Sequence, residues 1–144
     1  MKRRITVGLM TSGLLAAMLP AVATAQTDVA RQAKCIRHAE RAMGEDLRPG
    51  QFDDIVLGTS GDDGSLSNPD GPTLICGFSG ADGTKGLSDG DIFVGGAGND
   101  SVGSIGSGSP STAVFVGGAG DDSVGSMSGA FYGGVGNDSA NDLY

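Results

Sequence analysis

The sequence predicts an all-β repeat fold, a β-solenoid of about five coils, with one α-helix ahead of it. Three observations carry that prediction. Five loops start on glycine and reach aspartate at their sixth place: GTSGDD from Gly58, GFSGAD from Gly77, GGAGND from Gly95, GGAGDD from Gly117 and GGVGND from Gly133. Their starts are 19, 18, 22 and 16 residues apart, the self-similarity that stacked coils leave in a sequence. Each loop follows a short apolar triplet: Ile55–Leu57, Leu74–Cys76, Ile92–Val94, Val114–Val116 and Ala130–Tyr132. Between Gly77 and Gly95 a second nine-residue unit, GLSDGDIFV, completes the period, so one coil is two nines. The 22- and 16-residue coils carry an insertion (SIGSGSPST) and a shortening in the opposite half-turn.

The chain of 144 residues has room for one modest domain, and it divides into three segments. Residues 1–25 have the form of a secretory signal peptide: basic MKRR, an apolar run from Ile5 to Leu19, and small residues ATA before Gln26. The run is short and holds Thr, Ser and Gly, so stable membrane insertion is not expected. Arg3 and Arg4 leave twin-arginine export open beside the general secretory route. Residues 26–48 hold the helix, Thr27 to Leu47, with Val29, Ala33, Ile36, Met43 and Leu47 on one side at helical spacing. Thr27 or Asp28 is placed to cap its start, and Pro49-Gly50 to end it. Its length, about 30 Å at 1.5 Å per residue, roughly matches five coils at about 4.8 Å each. Residues 49–144 form the repeat region.

Charge is distributed unevenly along these segments. Without residues 1–25, six basic residues face 17 acidic ones, a net charge of −11. From Pro49 onward Lys85 stands alone against 13 acids, a net −12, in a stretch that holds 24 of the 27 glycines. Such a strip repels nucleic acid and anionic lipid and attracts cations. Composition alone also fits an acidic disordered tail; the repeat argues against that.

The pattern Gly-Gly-x-Gly-x-Asp-x-U-x, with U a large apolar residue, resembles the haemolysin-type calcium-binding (RTX) nonapeptide repeat. The likeness spans Pro49 to the C-terminus. It is strongest at Gly95 and Gly117, good at Gly133, and partial at Gly58 and Gly77, where Thr59 and Phe78 replace the second glycine. The resemblance implies a right-handed parallel β-roll whose stacked loops share Ca2+ ions. It implies ligation by the carboxylates of Asp63, Asp82, Asp100, Asp122 and Asp138, and by loop carbonyls of Gly58, Gly77, Gly95, Ala97, Gly117, Ala119, Gly133 and Val135. Calcium accepts six to eight oxygens of mixed carbonyl and carboxylate origin, and glycine leaves carbonyls uncovered for a ligand to approach. Five loops leave at most four gaps on that edge. Fifth-place Asp62, Asn99, Asp121 and Asn137 are expected to face solvent. The opposite edge offers only Asp54, Asp70, Asp89 and Asp91, so one row of calcium is expected.

Alternation along a strand points Val56, Ile75, Phe93, Phe115 and Phe131 inward, with Val102, Val124, Thr84 and Ala140 from the other half-turn. The remaining triplet residues (Ile55/Leu57, Leu74/Cys76, Ile92/Val94, Val114/Val116, Ala130/Tyr132) then make an outward apolar face. A stripe of that size needs a cover, and the amphipathic helix, laid lengthwise, is the candidate. Cys35 lies near its apolar side and Cys76 on the outward face. In an exported protein a Cys35–Cys76 disulfide is the leading expectation, with an intermolecular bridge or two free thiols as alternatives. His38, the single histidine, has Glu40 nearby but no nucleophile or second ligand keyed to it, and reads as a solvated helix residue.

These features predict a secreted, calcium-binding β-roll protein that folds where calcium is plentiful and performs no catalysis. RTX toxins and proteases carry catalytic or pore-forming domains ahead of such repeats, and nothing in this chain matches one. Two roles compete: an adhesin or matrix module using the apolar face or the calcium edge, and an accessory factor or inhibitor of a secreted enzyme. Calcium ions are the expected partners, with a protein partner or a second copy on the apolar sheet face.

Overall fold

The computed structural model describes residues 15–106 and 110–143, and side chains of residues 26–106 and 110–141. Residues 1–14 of the expected signal peptide, and 107–109 of the insertion, lie outside the described residues. Order along the chain is α1 (Leu15–Met43), a 3-10 turn (Pro49–Gln51), β1 (Asp54–Leu57), β2 (Thr73–Ser79), β3 (Gly83–Thr84), β4 (Ile92–Ala97), β5 (Ser101–Ile105), β6 (Val114–Ala119), β7 (Ser123–Met127), β8 (Ala130–Val135) and β9 (Ser139–Leu143). The strands form a β-solenoid of five coils. One parallel sheet has the order β1-β2-β4-β6-β8 and the other β3-β5-β7-β9.

Register follows the repeat. Ile55 pairs with Leu74, Leu74 with Ile92, Ile92 with Val114 and Val114 with Ala130, keeping the loops aligned despite unequal coil lengths. Slack is absorbed at one corner. The long coil spends its extra residues between β5 and β6, whereas β7 passes to β8 through Ser128 and Gly129 alone.

Between the sheets, Ile75, Phe93, Phe115, Val102 and Val124 are buried as the alternation requires, with Val56 and Phe131 partly buried beside them. Phe93, Phe115 and Phe131 stack face to face, with ring centroids 5.1 and 5.0 Å apart, a spacing set by the coil rise. Thr84 is buried, but Ala140, on the last coil, is exposed. Leu87, Ile105 and Ala113 complete this core, with Leu66 and Met127 packed against it. None of these five sits at the inward eighth place of a repeat, so the sequence pattern does not mark them.

The outward apolar face is covered by α1. Cys35, Ile36 and Ala39 of the helix, with Leu47 and Phe52, form one cluster with Leu74, Cys76, Ile92, Val94, Val114 and Val116. Contacts run from β1 and β2 through β4 to β8, so the helix lies across the strands, lengthwise along the solenoid. From Arg31, at Gly58 of the first coil, to Met43, beside Tyr132 of the last, the helix rises about 18 Å. Four inter-coil steps at about 4.8 Å come to about 19 Å. A disulfide joins Cys35 to Cys76, with a Cα–Cα distance of 6.0 Å.

The helix boundaries differ from those expected. α1 runs unbroken from Leu15 through the expected cleavage point, so Thr27 and Asp28 are internal helix residues and not its start. Its end comes at Met43 because Gly44, at φ +72, takes the left-handed conformation and donates its N–H to the Glu40 carbonyl. Leu47 therefore reaches the core from the following loop, held by its N–H to Glu40 Oε1 at 3.1 Å. Val29 is 65% exposed and contributes nothing to the covering face. Among the described residues no helix is long and apolar enough to cross a membrane.

Deleting residues 26–48 is expected to bare Leu74, Ile92, Val94, Val114 and Val116 and to remove the disulfide. A cross-link of this loop size contributes about 2–4 kcal/mol, and an exposed apolar sheet face drives association. Sedimentation velocity should find oligomers where the intact chain is monodisperse; a folded, monomeric deletion variant would contradict the covering role of α1.

Candidate metal centre

The five glycine-to-aspartate loops stack along one edge, and their geometry explains the residue at each place. At the sixth place the aspartate folds back over the first glycine of its own loop. A methyl group added to Gly77, Gly95, Gly117 or Gly133 would meet Oδ2 of Asp82, Asp100, Asp122 or Asp138 respectively. The first glycine is thus required by close approach of a carboxylate. Second- and fourth-place glycines have another reason. Gly96 and Gly98, Gly118 and Gly120, and Gly134 and Gly136 all have positive φ, which L-residues adopt at a cost.

Each carboxylate divides its work. Oδ1 of Asp82 accepts the N–H of Asp63 at 2.9 Å, Asp100 that of Asp82 at 2.8 Å, Asp122 that of Asp100 at 2.8 Å, and Asp138 that of Asp122 at 3.0 Å. One oxygen of every repeat aspartate from the second loop on therefore ties its coil to the previous one. The other oxygen is left alone at three positions. Oδ2 of Asp82, Asp100 and Asp122 is buried without a hydrogen-bond partner, in side chains only 1–2% exposed. The one other such atom among the described residues is the amide oxygen of Asn68, on the opposite edge.

Carbonyl oxygens share the space into which these atoms point. The point that a methyl on Gly77 would occupy is bounded by Asp82 Oδ2 and, at 2.6 Å, by the Gly95 carbonyl oxygen of the next coil. Over Gly117 the pair is Asp122 Oδ2 and, at 2.7 Å, the Gly133 carbonyl. Third-place carbonyls are placed differently: those of Ala97, Ala119 and Val135 accept the N–H of Gly80, Gly98 and Gly120 at 2.7–2.9 Å. First-place carbonyls, those of Gly95 and Gly133, are consequently the ones that stand beside the unpartnered oxygens of Asp82 and Asp122.

Burial without a counter-charge perturbs these acids. Desolvation pushes Asp100 up to about 7 and Asp122 up to about 6, and raises Asp82. The N–H bonds from the neighbouring coil oppose the shift, while adjacent carboxylates (Asp122 and Asp82 around Asp100) add to it. Buried anions this close together call for a cation or for protons. Among the described residues no three His, Cys, Asp or Glu side chains gather around one point. A cation between coils would therefore draw on backbone oxygens as well as carboxylates, the mixed hard-oxygen donor set that suits calcium. The residues present fit that ion.

The first loop departs from the rest. Thr59 and Gly61 lack the positive φ of the corresponding residues in the other loops. The Thr59 N–H (2.6 Å) and hydroxyl (3.0 Å) both donate to Asp63 Oδ2, so this carboxylate is satisfied within its own loop. The second loop keeps the repeat backbone at a price in strain: Phe78 has φ +82, the one described non-glycine with positive φ. The Arg31 guanidinium lies 4.4 Å from its ring centroid, a cation–π contact that holds the ring.

Fifth-place side chains are exposed, as expected, and also build a second ladder. Asp62, Asn99 and Asp121 accept N–H groups of Ala81, Asp121 and Asn137 on the next loop at 2.8–3.0 Å. On the opposite edge Asp54 and Asp70 are exposed, and Asp89 ties down the insertion by accepting from Ser111 Oγ at 2.6 Å and Thr112 N at 3.2 Å. Asp91 is fully buried and fully used: Oδ1 accepts from Thr73 N, and Oδ2 from Ser88 N and Asn68 Nδ2. It staples a corner, a role that its isolated Asp-Gly-Asp context does not signal. His38 is half-buried beside a cleft of about 200 Å3 that Lys34, Cys35 and Phe78 also line. Burial, then Arg41 and Lys34, lowers its pKa.

Compared with known protein-family models, curated proteins and solved structures, the chain matches none.

Proposed function

We propose that this is an exported calcium-binding β-solenoid protein of the haemolysin-type repeat kind, which folds with the metal and serves a structural or interaction role without catalysis. One observation carries the reading. Three buried carboxylate oxygens, on Asp82, Asp100 and Asp122, have no hydrogen-bond partner among the described residues and recur once in each of three successive coils. A protein gains nothing from burying an unpaired anion, so a recurrent ladder of them points to a ligand that is itself positive. Asp82, Asp100 and Asp122, with first-place carbonyls of Gly95, Gly117 and Gly133, would hold Ca2+, which supplies the missing positive charge and couples folding to its own concentration. Residues 1–25, read as a signal peptide, would send the chain to compartments where calcium is abundant and a disulfide persists. Because α1 covers most of the apolar sheet face, a partner or second copy would meet the polar second sheet or the exposed Tyr132 and Val135 of the last coil.

Calorimetric titration distinguishes this from a generic acidic surface. Calcium should bind saturably at sub-millimolar concentrations, whereas magnesium, which demands tight octahedral geometry, should bind at least tenfold more weakly. Equal responses to the two ions, or none to calcium, would overturn the proposal.

A further inference from the structure

We infer that Thr59 closes the first gap to metal and that Arg31 caps the open end beyond it, so that the row takes three calcium ions and not the four that five stacked loops would allow. The inference rests on the calcium reading and concerns where the row stops.

Over Gly77 and Gly117 the gap joins an unpartnered Asp Oδ2 of one coil to the first-place carbonyl of the next, and Asp100 Oδ2 stands in the same place over Gly95. The three unpartnered oxygens belong to Asp82, Asp100 and Asp122. They therefore mark the gaps between coils two and three, three and four, and four and five. The gap between coils one and two has the Gly77 carbonyl, 3.0 Å from the point a methyl on Gly58 would occupy. Its carboxylate, however, is committed. Asp63 Oδ2 accepts both the backbone N–H and the hydroxyl of Thr59. Those two donors do for Asp63 what a cation does elsewhere, and the altered loop backbone follows from them: neither Thr59 nor Gly61 enters the positive-φ region.

Arg31 caps the open end of the row. Its guanidinium donates to the Gly58 carbonyl, the counterpart of the Gly77, Gly95 and Gly133 carbonyls that face the preceding gap. No coil precedes Gly58 among the described residues, so a fixed positive charge stands where the next ion of the row would stand. Asp28, 3.6 Å from Arg31, and the Phe78 ring hold it there. Terminal repeats of solenoids are atypical because they must end the stack. Here the ending is electrostatic as well as steric, and the helix that covers the sheet supplies it.

Equilibrium dialysis against calcium, with protein concentration fixed by amino-acid analysis, reads the ion count directly. The unaltered protein should bind three ions. Thr59→Gly frees Asp63 Oδ2 from the hydroxyl and permits the positive-φ backbone, and should raise the count to four. Arg31→Gln should leave it at three, because Thr59 still holds Asp63. A count of four in the unaltered protein, or of three in Thr59→Gly with native-like circular dichroism in calcium, would overturn this inference alone. No bound calcium in either protein would overturn the calcium reading and this inference with it.

Discussion

In chelator at pH 8 the protein should lose its β-sheet circular dichroism, and millimolar calcium should restore it. The reasoning starts from the repeat region, where one lysine faces 13 acids and 24 glycines must be ordered. Ordering each residue costs about 1–2 kcal/mol of backbone entropy, and glycine more than most. The inter-sheet core that opposes this cost is thin. Burial raises Asp82, Asp100 (to about 7) and Asp122 (to about 6) above the ordinary carboxylate value of 3.8. A raised pKa in the folded state means that the metal-free fold binds protons which the unfolded chain releases. Its contribution is full below pH 3.8 and is lost as pH rises through about 6 to 7. Above that window only a metal cation can neutralise the ladder. Chelated protein should therefore keep more β-structure at pH 5 than at pH 8, and calcium should abolish that pH dependence. Identical spectra with and without chelator at pH 8 would defeat the argument.

Asp100→Ala should weaken calcium binding by about 10–100-fold, and Asp122→Ala by a similar factor. Each change removes an oxygen aimed into a gap and also the Oδ1 acceptor that pairs the N–H of the preceding coil's aspartate. Hydrogen bonds to charged groups are worth about 1.5–3 kcal/mol, and each 1.4 kcal/mol is a factor of ten in affinity. Asp70→Ala and Asp89→Ala are the controls. Asp70 is exposed, and Asp89 holds only the surface insertion through Ser111 and Thr112. Exposed substitutions of this kind cost about 0.5 kcal/mol or less, so calcium affinity should stay within about twofold. Equal losses across the four variants in calorimetric titration would remove the single-row assignment.

Much of this architecture is legible in the sequence because solenoids write their geometry locally. A fixed period sets the coil, alternation within the triplets sorts Phe93 and Phe115 inward and Val94 and Val116 outward, and the outward apolar stripe demands the helix that covers it. The Cys35–Cys76 pairing follows from one cysteine on each of those faces. What the pattern hides depends on contacts between coils. Ile105 and Met127 enter the core because their strands run past the nine-residue unit. Asp91 is a corner staple because Asn68, Thr73 and Ser88 converge on it from other turns. The helix end at Gly44 needs only one residue in the left-handed region, and the Pro49-Gly50 signal a few residues later masks it. At the metal edge the aspartate ladder is plain, whereas the distinction between Asp63 and Asp82 is not. Thr59 in place of glycine marks the first loop as divergent, but only its hydrogen bonds to Asp63 show that the divergence removes a free carboxylate oxygen.

The central claim is that calcium lies between coils on the aspartate edge, and long-wavelength anomalous diffraction from crystals grown in calcium tests it most directly. The account predicts anomalous peaks beside Oδ2 of Asp82, Asp100 and Asp122, each between its own coil and the next, and none beside Asp63. Peaks confined to the opposite edge near Asp89 and Asp91, or ordered coils with no anomalous density along the aspartate ladder, would contradict it.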